Sequence, residues 1–291
     1  MKVIIPVTGG LDSTVAVALA LGFGHEVQTI YLEYGHPYAA QEHHALRQLE
    51  QRGLMVRPNI IHVRGLMESM GVKLDGKDIW MPGRNALIGI IAAMHRPDEV
   101  WLAACKGEMH EAATDKNLAF FERLSRLTVH VFGHSKHGGV KTIVRTPFGS
   151  RSKLNVVLLA MQVFDFTPDD LRTTWSCMGA DPTETIPCGN CMVCARRKGI
   201  FAQHGFDEEY QQDPYQSENG RAYLDKLAES ASLLRKGQRG RYCSDRIEEV
   251  FPHWAQKLDS AVLHVRPADL ADKVFDPLRE VSPTDTLYWS I

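Results

Sequence analysis

The 291-residue chain lacks a long hydrophobic run. Its longest apolar stretch, Ala86 to Met94, is about half the ~20 residues of a bilayer-crossing helix, so no transmembrane helix is expected. The opening MKVIIPVTGG runs into a glycine-rich turn instead of a peptidase site, which makes a cytoplasmic protein the expectation. Excess charge of one sign is also missing: 33 Lys and Arg face 35 Asp and Glu, for a net charge of −2. No global positive field therefore draws the chain to nucleic acid or to an anionic membrane, and neither is expected as a partner. Cysteine is scarce, with six residues, too few for a secreted disulfide scaffold. What is present, 44% hydrophobic and 23% charged residues, describes a globular protein with about two domains' worth of chain.

Along the chain, short apolar runs alternate with helical patterns. Strands are expected at Lys2 to Val7, Val27 to Tyr34, Asn59 to Val63 and Glu99 to Ala104, with further short ones at Val129 to Phe132 and Thr142 to Arg145. Helices are expected at Asp12 to Leu21, Gln41 to Arg52, Ala86 to His95, Asn117 to Leu127 and Lys153 to Val163, the last opened by Ser152, and Pro168 to Leu171 reads as another helix start. Strand–helix alternation of this kind is the signature of an α/β fold, a parallel sheet with helices on both faces. The composition changes beyond Phe206, where Arg221 to Arg235 carries a helical stripe and prolines break the tail. Three units are expected: an α/β nucleotide-binding domain over 1–172, a four-cysteine segment over 173–205 and a mainly helical extension over 206–291.

Directly after the first strand stands Thr8-Gly9-Gly10-Leu11-Asp12-Ser13-Thr14. Two glycines between a buried strand and a helix leave backbone N–H groups uncovered where the helix dipole is positive, a natural seat for phosphate. The wording is neither GxxxxGK[ST] nor GxGxxG, which sets aside the common triphosphate and dinucleotide motifs. It resembles SGGxDS, the pyrophosphate loop of enzymes that cleave ATP between the α- and β-phosphates, with Thr8 in place of the first Ser. That resemblance implies that the loop amides and the hydroxyls of Thr8, Ser13 and Thr14 hold phosphate, and that Asp12 helps to hold Mg²⁺.

Four of the six cysteines, Cys177, Cys188, Cys191 and Cys194, fall within 18 residues. Short thiolate loops of this spacing wrap a single tetrahedral Zn²⁺, and Gly189 eases the turn between ligands. Four thiolates also suit an iron–sulfur cluster, and a CxxC pair can be redox-active. Arg196, Arg197 and Lys198 follow at once, and positive charge beside the sulfurs would favour thiolate. Cys105 and Cys243 are isolated and read as ordinary small residues.

Taken in order, the glycine loop, Pro82-Gly83-Arg84-Asn85, Thr146-Pro147 with Ser152-Lys153, and Thr174-Trp175-Ser176-Cys177 ahead of Cys188-Gly189-Asn190-Cys191 resemble the 7-cyano-7-deazaguanine synthase (QueC) family over about residues 1–205. The resemblance implies a five-stranded parallel sheet of the adenine nucleotide alpha hydrolase type, a structural Zn²⁺ and a homodimer. It also implies a ligase that uses ATP to activate 7-carboxy-7-deazaguanine as an acyl-adenylate, aminates it with ammonia and dehydrates the amide to the nitrile. Asp12, Arg84 and Lys153 are the candidate catalytic residues, with Arg84 able to neutralise a phosphate or the substrate carboxylate.

The chain departs from the family on the substrate side. Tyr34-Gly35-His36-Pro37-Tyr38 lacks the family's arginine, leaving His36 or His43 as stand-ins, and Cys105-Lys106-Gly107-Glu108-Met109-His110 followed by Thr114-Asp115-Lys116 replaces the usual acidic and Pro-Asp-Cys-Arg stretches. Arg84, Asn85, Asp115 and Lys116 are then the expected substrate-binding residues. Two other functions compete: a QueC-like branch of antiviral gene clusters that conjugates the activated deazaguanine to a protein amine, and a pyrophosphate-loop enzyme that modifies tRNA. The altered acceptor side and the extension favour the first of these, and the balanced charge speaks against the second.

Overall fold

Val3, Ile4 and Ile5 are fully buried in the first strand, and consecutive side chains point to opposite faces. Val3, Ile5 and Val7 pack into one core and Ile4 into a second, so this strand must lie inside a sheet covered on both sides. A computed structural model of the protein shows this arrangement; it describes residues 1–63, 65–69, 81, 83–109, 115–133, 139–179, 181 and 183–252.

Five strands, β1 (Lys2–Pro6), β2 (Glu26–Glu33), β3 (Asn59–His62), β4 (Glu99–Trp101) and β5 (Ile143–Arg145), form one parallel sheet in the order β3-β2-β1-β4-β5. The order reverses between β1 and β4, and the crevice beyond the carboxyl ends of strands at such a switch is where open α/β sheets bind ligands. On one face lie α1 (Leu11–Gly22), α2 (Ala39–Gln51) and α6 (Lys153–Val163); on the other lie α4 (Arg84–Met94) and α5 (Leu118–Gly133), while α3 (Leu66–Ser69) is a single turn after β3. Ser152 caps α6 by accepting the Asn155 amide, as its position suggested. α7 (Pro168–Thr173) begins in a capping box built by Thr167 and Asp170.

The strand expected at Val129 to Phe132 is instead the last part of α5. Phe121, Leu124 and Thr128 form the buried face at helical spacing. Ser125 fixes that face to β5 by giving its hydroxyl to the Val144 carbonyl (2.6 Å) and accepting the Val144 amide (2.9 Å). Tertiary pairing thus overrides the β-branched composition of the stretch.

Beyond the sheet come α8 (Met192–Gln203), α9 (Glu218–Arg235) and α10 (Ser244–Glu248). Tyr223 and Leu227 of α9, Ile247 of α10 and Val250 form a small core against Ala195 of α8. Within the expected helical extension the described residues hold α9 and α10 joined by irregular chain, and residues 253–291 lie outside the described residues. No helix among the described residues is long and apolar enough to cross a membrane.

Candidate nucleotide cleft and cysteine knuckle

The turn after β1 is built for close approach. Gly9 has φ +71°, and a Cβ there would stand 2.9 Å from Ala45 Cβ and 3.2 Å from the Glu42 carbonyl, so a side chain would push α2 away. Gly10 precedes α1, whose first internal bond runs from the Thr14 amide to the Gly10 carbonyl (3.1 Å). The preceding amides of Leu11, Asp12 and Ser13 are the uncommitted donors of a helix N-terminus. Leu11 itself is buried in the core and offers the site its backbone. The Ser13 and Thr14 hydroxyls turn back to the Gly10 carbonyl at 3.0 and 2.9 Å, stiffening the turn. From the far side the Trp175 amide donates to the Gly9 carbonyl (2.8 Å), so the Thr174-Trp175-Ser176-Cys177 stretch is laid along the loop.

Thr8, Gly10, Asp12 and Ser13 open onto a cleft of about 430 Å³ at the β1/β4 switch point, a size suited to a nucleotide and a small co-substrate. At its base a chain of charges begins: Lys153 Nζ lies 2.7 Å from Asp12 Oδ2 and 3.4 Å from Glu108 Oε1, and Arg196 reaches the same Glu108 oxygen at 2.7 Å. Arg196 also grips Glu249 with two guanidinium nitrogens. Burial works to raise the Glu108 carboxyl, but Lys153, Lys116, Arg196 and Arg246 around it outweigh burial and hold it well below the usual carboxylate range. Burial and Arg196 lower Lys153, while Asp12 and Glu108 more than reverse this and hold its ammonium charged. The Cys105 thiol donates to Asp12 Oδ1 (3.3 Å), and burial pushes its pKa up, so it remains a neutral donor.

On the opposite side Gly83, at φ +70°, starts α4 and delivers Arg84 to the cleft beside the Tyr34 and Tyr38 rings. Burial pushes the Tyr34 phenol up, against the pull of Arg84. Asn85 donates to the Asp115 carbonyl (3.1 Å), which positions Lys116 on the cleft wall. The cleft thus gathers Thr8, Gly10, Leu11, Asp12, Ser13, Arg84, Asn85, Lys116 and Lys153, while Asp115 contributes its carbonyl as a brace. His110 and Thr114 lie outside the described residues.

Neither histidine considered as a stand-in for arginine lines the cleft. His36 is buried with its Nε2 2.8 Å from Glu42 Oε2, an oxygen that also accepts the Tyr31 hydroxyl (3.0 Å). His43 is paired to Glu33 at 2.6 Å. Local structure explains both: the carboxylates beneath them are supplied by β2 and α2 themselves. Composition gave no signal for Glu108 and Glu249, whose partner Arg196 lies 88 and 53 residues away in sequence.

The four cysteine sulfurs lie within 4.8 Å of one another. Four sulfurs about 2.3 Å from one tetrahedral ion would be roughly 3.8 Å apart, so the set is gathered closely enough to converge on a single metal ion. Backbone amides support the sulfurs: Cys188 N and Gly179 N donate to Cys177 Sγ (3.3 and 3.5 Å), Asn190 N to Cys188 Sγ (3.2 Å) and Cys194 N to Cys191 Sγ (3.4 Å). Gly189, at φ +67°, passes so near the Gln212 carbonyl that a Cβ would fall 1.8 Å from its oxygen. The basic residues that follow are not the partners of these sulfurs. Arg197 pairs with Glu208 (2.7 Å) and Lys198 with Asp213 (2.6 Å), and Arg196 faces the cleft, because α8 carries all three away from the knuckle.

Comparison with known proteins agrees with this layout. The family model described as "Queuosine biosynthesis protein QueC" matches residues 2–205. The 7-cyano-7-deazaguanine synthase of Sulfolobus acidocaldarius is 25% identical over 227 residues, 71% of this chain and 47% of that protein. The synthases of Methanocaldococcus jannaschii and Chlorobaculum parvum are 23% and 27% identical, covering 72% and 74% of this chain and 98% of each relative. The chain thus spans about half the length of the Sulfolobus relative and nearly all of the other two. Among solved structures, NMN synthetase from Francisella tularensis has a TM-score of 0.40 at 14% identity, covering 87% of this chain and 82% of its own. The U34-tRNA thiolase from Methanococcus maripaludis with its [4Fe-4S] cluster has a TM-score of 0.38 at 15% identity, with 87% and 71% covered. Glycine loop, Arg84-Asn85 helix entry and cysteine knuckle follow one another inside the matched span, and the chain belongs to the queuosine biosynthesis protein QueC family.

Proposed function

We propose that this protein is an ATP-dependent carbon–nitrogen ligase acting on 7-carboxy-7-deazaguanine, with ammonia as the amine. The observation that carries the reading is the junction of the glycine turn with the Asp12–Lys153 pair at the mouth of the cleft. A carboxylate is a poor electrophile because an oxide would have to leave, and transfer of AMP to it supplies a good leaving group. The carboxylate oxygen bonds to the α-phosphorus as the bond to the bridging oxygen breaks, and pyrophosphate departs. Ammonia then adds to the acyl carbon, AMP leaves, and a proton is lost to give the amide. In a second cycle the amide oxygen bonds to the α-phosphorus of another ATP as pyrophosphate departs, and cleavage of the C–O bond releases AMP while the nitrogen gives up its protons, leaving the nitrile.

No side-chain nucleophile is needed, so the protein's share is positioning and charge stabilisation. The first-turn amides of α1 and the Lys153 ammonium face the charge that builds on the departing pyrophosphate. Asp12 would hold the Mg²⁺ that accompanies ATP, which adds positive charge at the phosphates. Arg84, steadied by Tyr34, would hold the acid's carboxylate, and Lys116 would bind beside it. Cys177, Cys188, Cys191 and Cys194 would hold Zn²⁺ in a closed, structural site that fixes the Trp175 segment against the loop.

A product assay by mass spectrometry tests this reading. With ATP, 7-carboxy-7-deazaguanine and ammonium, AMP, pyrophosphate and the nitrile are expected, and no AMP with the acid present would refute it. AMP formed without ammonium, together with a mass increase on a protein, would replace ammonia by a protein amine as the acceptor.

A further inference from the structure

Residues beyond 205, outside the span matched by the family, return to the cleft. α9 places Tyr223 on its wall, α10 places Arg246 there, and Tyr242 stands just before α10. They are held in place by the core shared with Ala195 and by the Glu249–Arg196 pair. α10 also rests on the turn that carries Glu108: Lys106 Nζ is 3.2 Å from Asp245, and a Cβ on Gly107 would touch the Asp245 Cβ at 3.4 Å.

Arg246 is less committed than its neighbours. Lys153 and Arg196 each sit within 2.7 Å of a carboxylate oxygen, whereas Arg246 is 3.9 Å from Glu108 and 3.7 Å from Glu249, beyond hydrogen-bonding distance of both. Both carboxylates are already taken by Arg196, so among the described residues the guanidinium donors of Arg246 remain for a ligand. Beside it, Tyr223 is 5% exposed, and its hydroxyl is buried with no hydrogen-bond partner among the described residues. A buried hydroxyl left unpaired is costly, and an oxyanion arriving in the cleft would accept from the phenol and the guanidinium together.

Two oxyanions enter the cleft in the ligase reading, a polyphosphate and a carboxylate. The far side already offers Arg84 and Lys116 for a singly charged acid, while at this end Lys153, Arg196 and Arg246 share the carboxylates of Asp12, Glu108 and Glu249. This end adjoins the glycine turn, because Arg246 stands beside Glu108, Glu108 beside Lys153, and Lys153 reaches Asp12 in the first turn of α1, so the oxyanion nearest Arg246 is the polyphosphate. We propose that Arg246 and Tyr223 bind the β- and γ-phosphates of the nucleotide, so that the segment beyond residue 205 completes the polyphosphate site that the glycine turn begins. This rests on the reading of the cleft as an ATP site.

Titration calorimetry on the full chain with ATP and with AMP, alongside inhibition by pyrophosphate, tests the assignment. Arg246→Ala is expected to weaken ATP and pyrophosphate binding about tenfold or more, the size of a lost charge-assisted bond, and to leave AMP binding unchanged. Arg246→Lys should recover part of the loss. Unchanged ATP affinity, an equal loss for AMP, or an effect confined to the KM of the acid would each overturn it, the last by assigning the site to the carboxylate. Should Arg246→Ala fail to fold, Tyr223→Phe deletes the orphan hydroxyl alone, and a loss of about threefold for ATP with none for AMP is expected, no loss counting against the proposal. Wild-type protein that binds ATP yet makes no AMP with any acid would defeat the ligase reading while these phosphate comparisons still decide the role of Arg246. Wild-type protein that binds no ATP would defeat both.

Discussion

Lys153 Nζ lies 2.7 Å from Asp12 Oδ2 and so ties the first turn of α6 to the first turn of α1 across the base of the cleft. Both side chains are largely buried, and removing one charge of such a pair leaves the other uncompensated in a medium of low polarity. Lys153→Met is therefore expected to lower stability by about 3 kcal/mol in urea unfolding. Asp12→Asn combined with Lys153→Met should be more stable than Lys153→Met alone, because no lone charge is left. AMP formation should be lost in both variants, which separates the pair's part in catalysis from its part in folding. A single variant as stable as wild type would show that the pair is solvated and does not anchor the cleft.

The cysteine knuckle makes a second prediction. Replacing Cys191 removes a sulfur that also caps α8 by accepting the Cys194 amide (3.4 Å). Metal binding to a closed thiolate site is folding free energy, on the order of 10 kcal/mol for zinc-finger peptides. Cys191→Ser is expected to bind no Zn²⁺ by elemental analysis and to unfold at a clearly lower temperature. A chelator should move wild type toward the same midpoint, and without chelator Cys105→Ala should hold as much metal as wild type, since Cys105 belongs to the cleft. Full zinc content in Cys191→Ser would remove this cysteine from the ligand set.

What could be read from the residues alone was whatever is local. The glycine turn, its flanking strand and helix, and the knuckle each declare themselves within about twenty residues, because burial on both faces forces an unbroken apolar run and a metal site forces short thiolate loops. The charged base of the cleft was not legible in this way. Glu108, Arg196, Glu249 and Arg246 are brought together from three distant segments, and in a linear string each reads as a solvated surface charge. The same limit explains Val129 to Phe132, where a deciding contact, Thr128 Oγ1 to the Thr142 carbonyl (2.7 Å), comes from the residue just ahead of β5.

Gly9 and Gly35 separate the two reasons a glycine can be required. Both have positive φ, +71° and +85°, but a Cβ on Gly35 meets nothing within 4 Å, whereas one on Gly9 collides with α2. Gly35→Ala should cost only the left-handed backbone term, about 1 kcal/mol. Gly9→Ala should cost at least ~2 kcal/mol and abolish AMP formation, since relief of the clash displaces either α2 or the phosphate-facing turn. Urea unfolding of the two variants in parallel provides the comparison, and equal losses would mean that the turn yields without strain.

His204, at the carboxyl end of α8, gives the stability of the protein a pH dependence. Burial lowers its pKa from about 6.5, with only a backbone contact from Leu154 acting the other way, and its Nε2 has no hydrogen-bond partner among the described residues. The folded chain therefore resists protonation here more than the unfolded chain does. As pH falls below about 6.5 the unfolded state takes up a proton that the native state refuses, so the contribution of this group is complete above that value and declines beneath it. One such histidine can contribute a slope of at most about 1.4 kcal/mol per pH unit, and its partial exposure keeps the effect well under that ceiling. Urea midpoints measured from pH 8 down to pH 5.5 should fall more steeply in wild type than in His204→Gln, which cannot titrate. Parallel curves for the two proteins would show that this imidazole is protonated equally in both states, and that the acid sensitivity arises elsewhere.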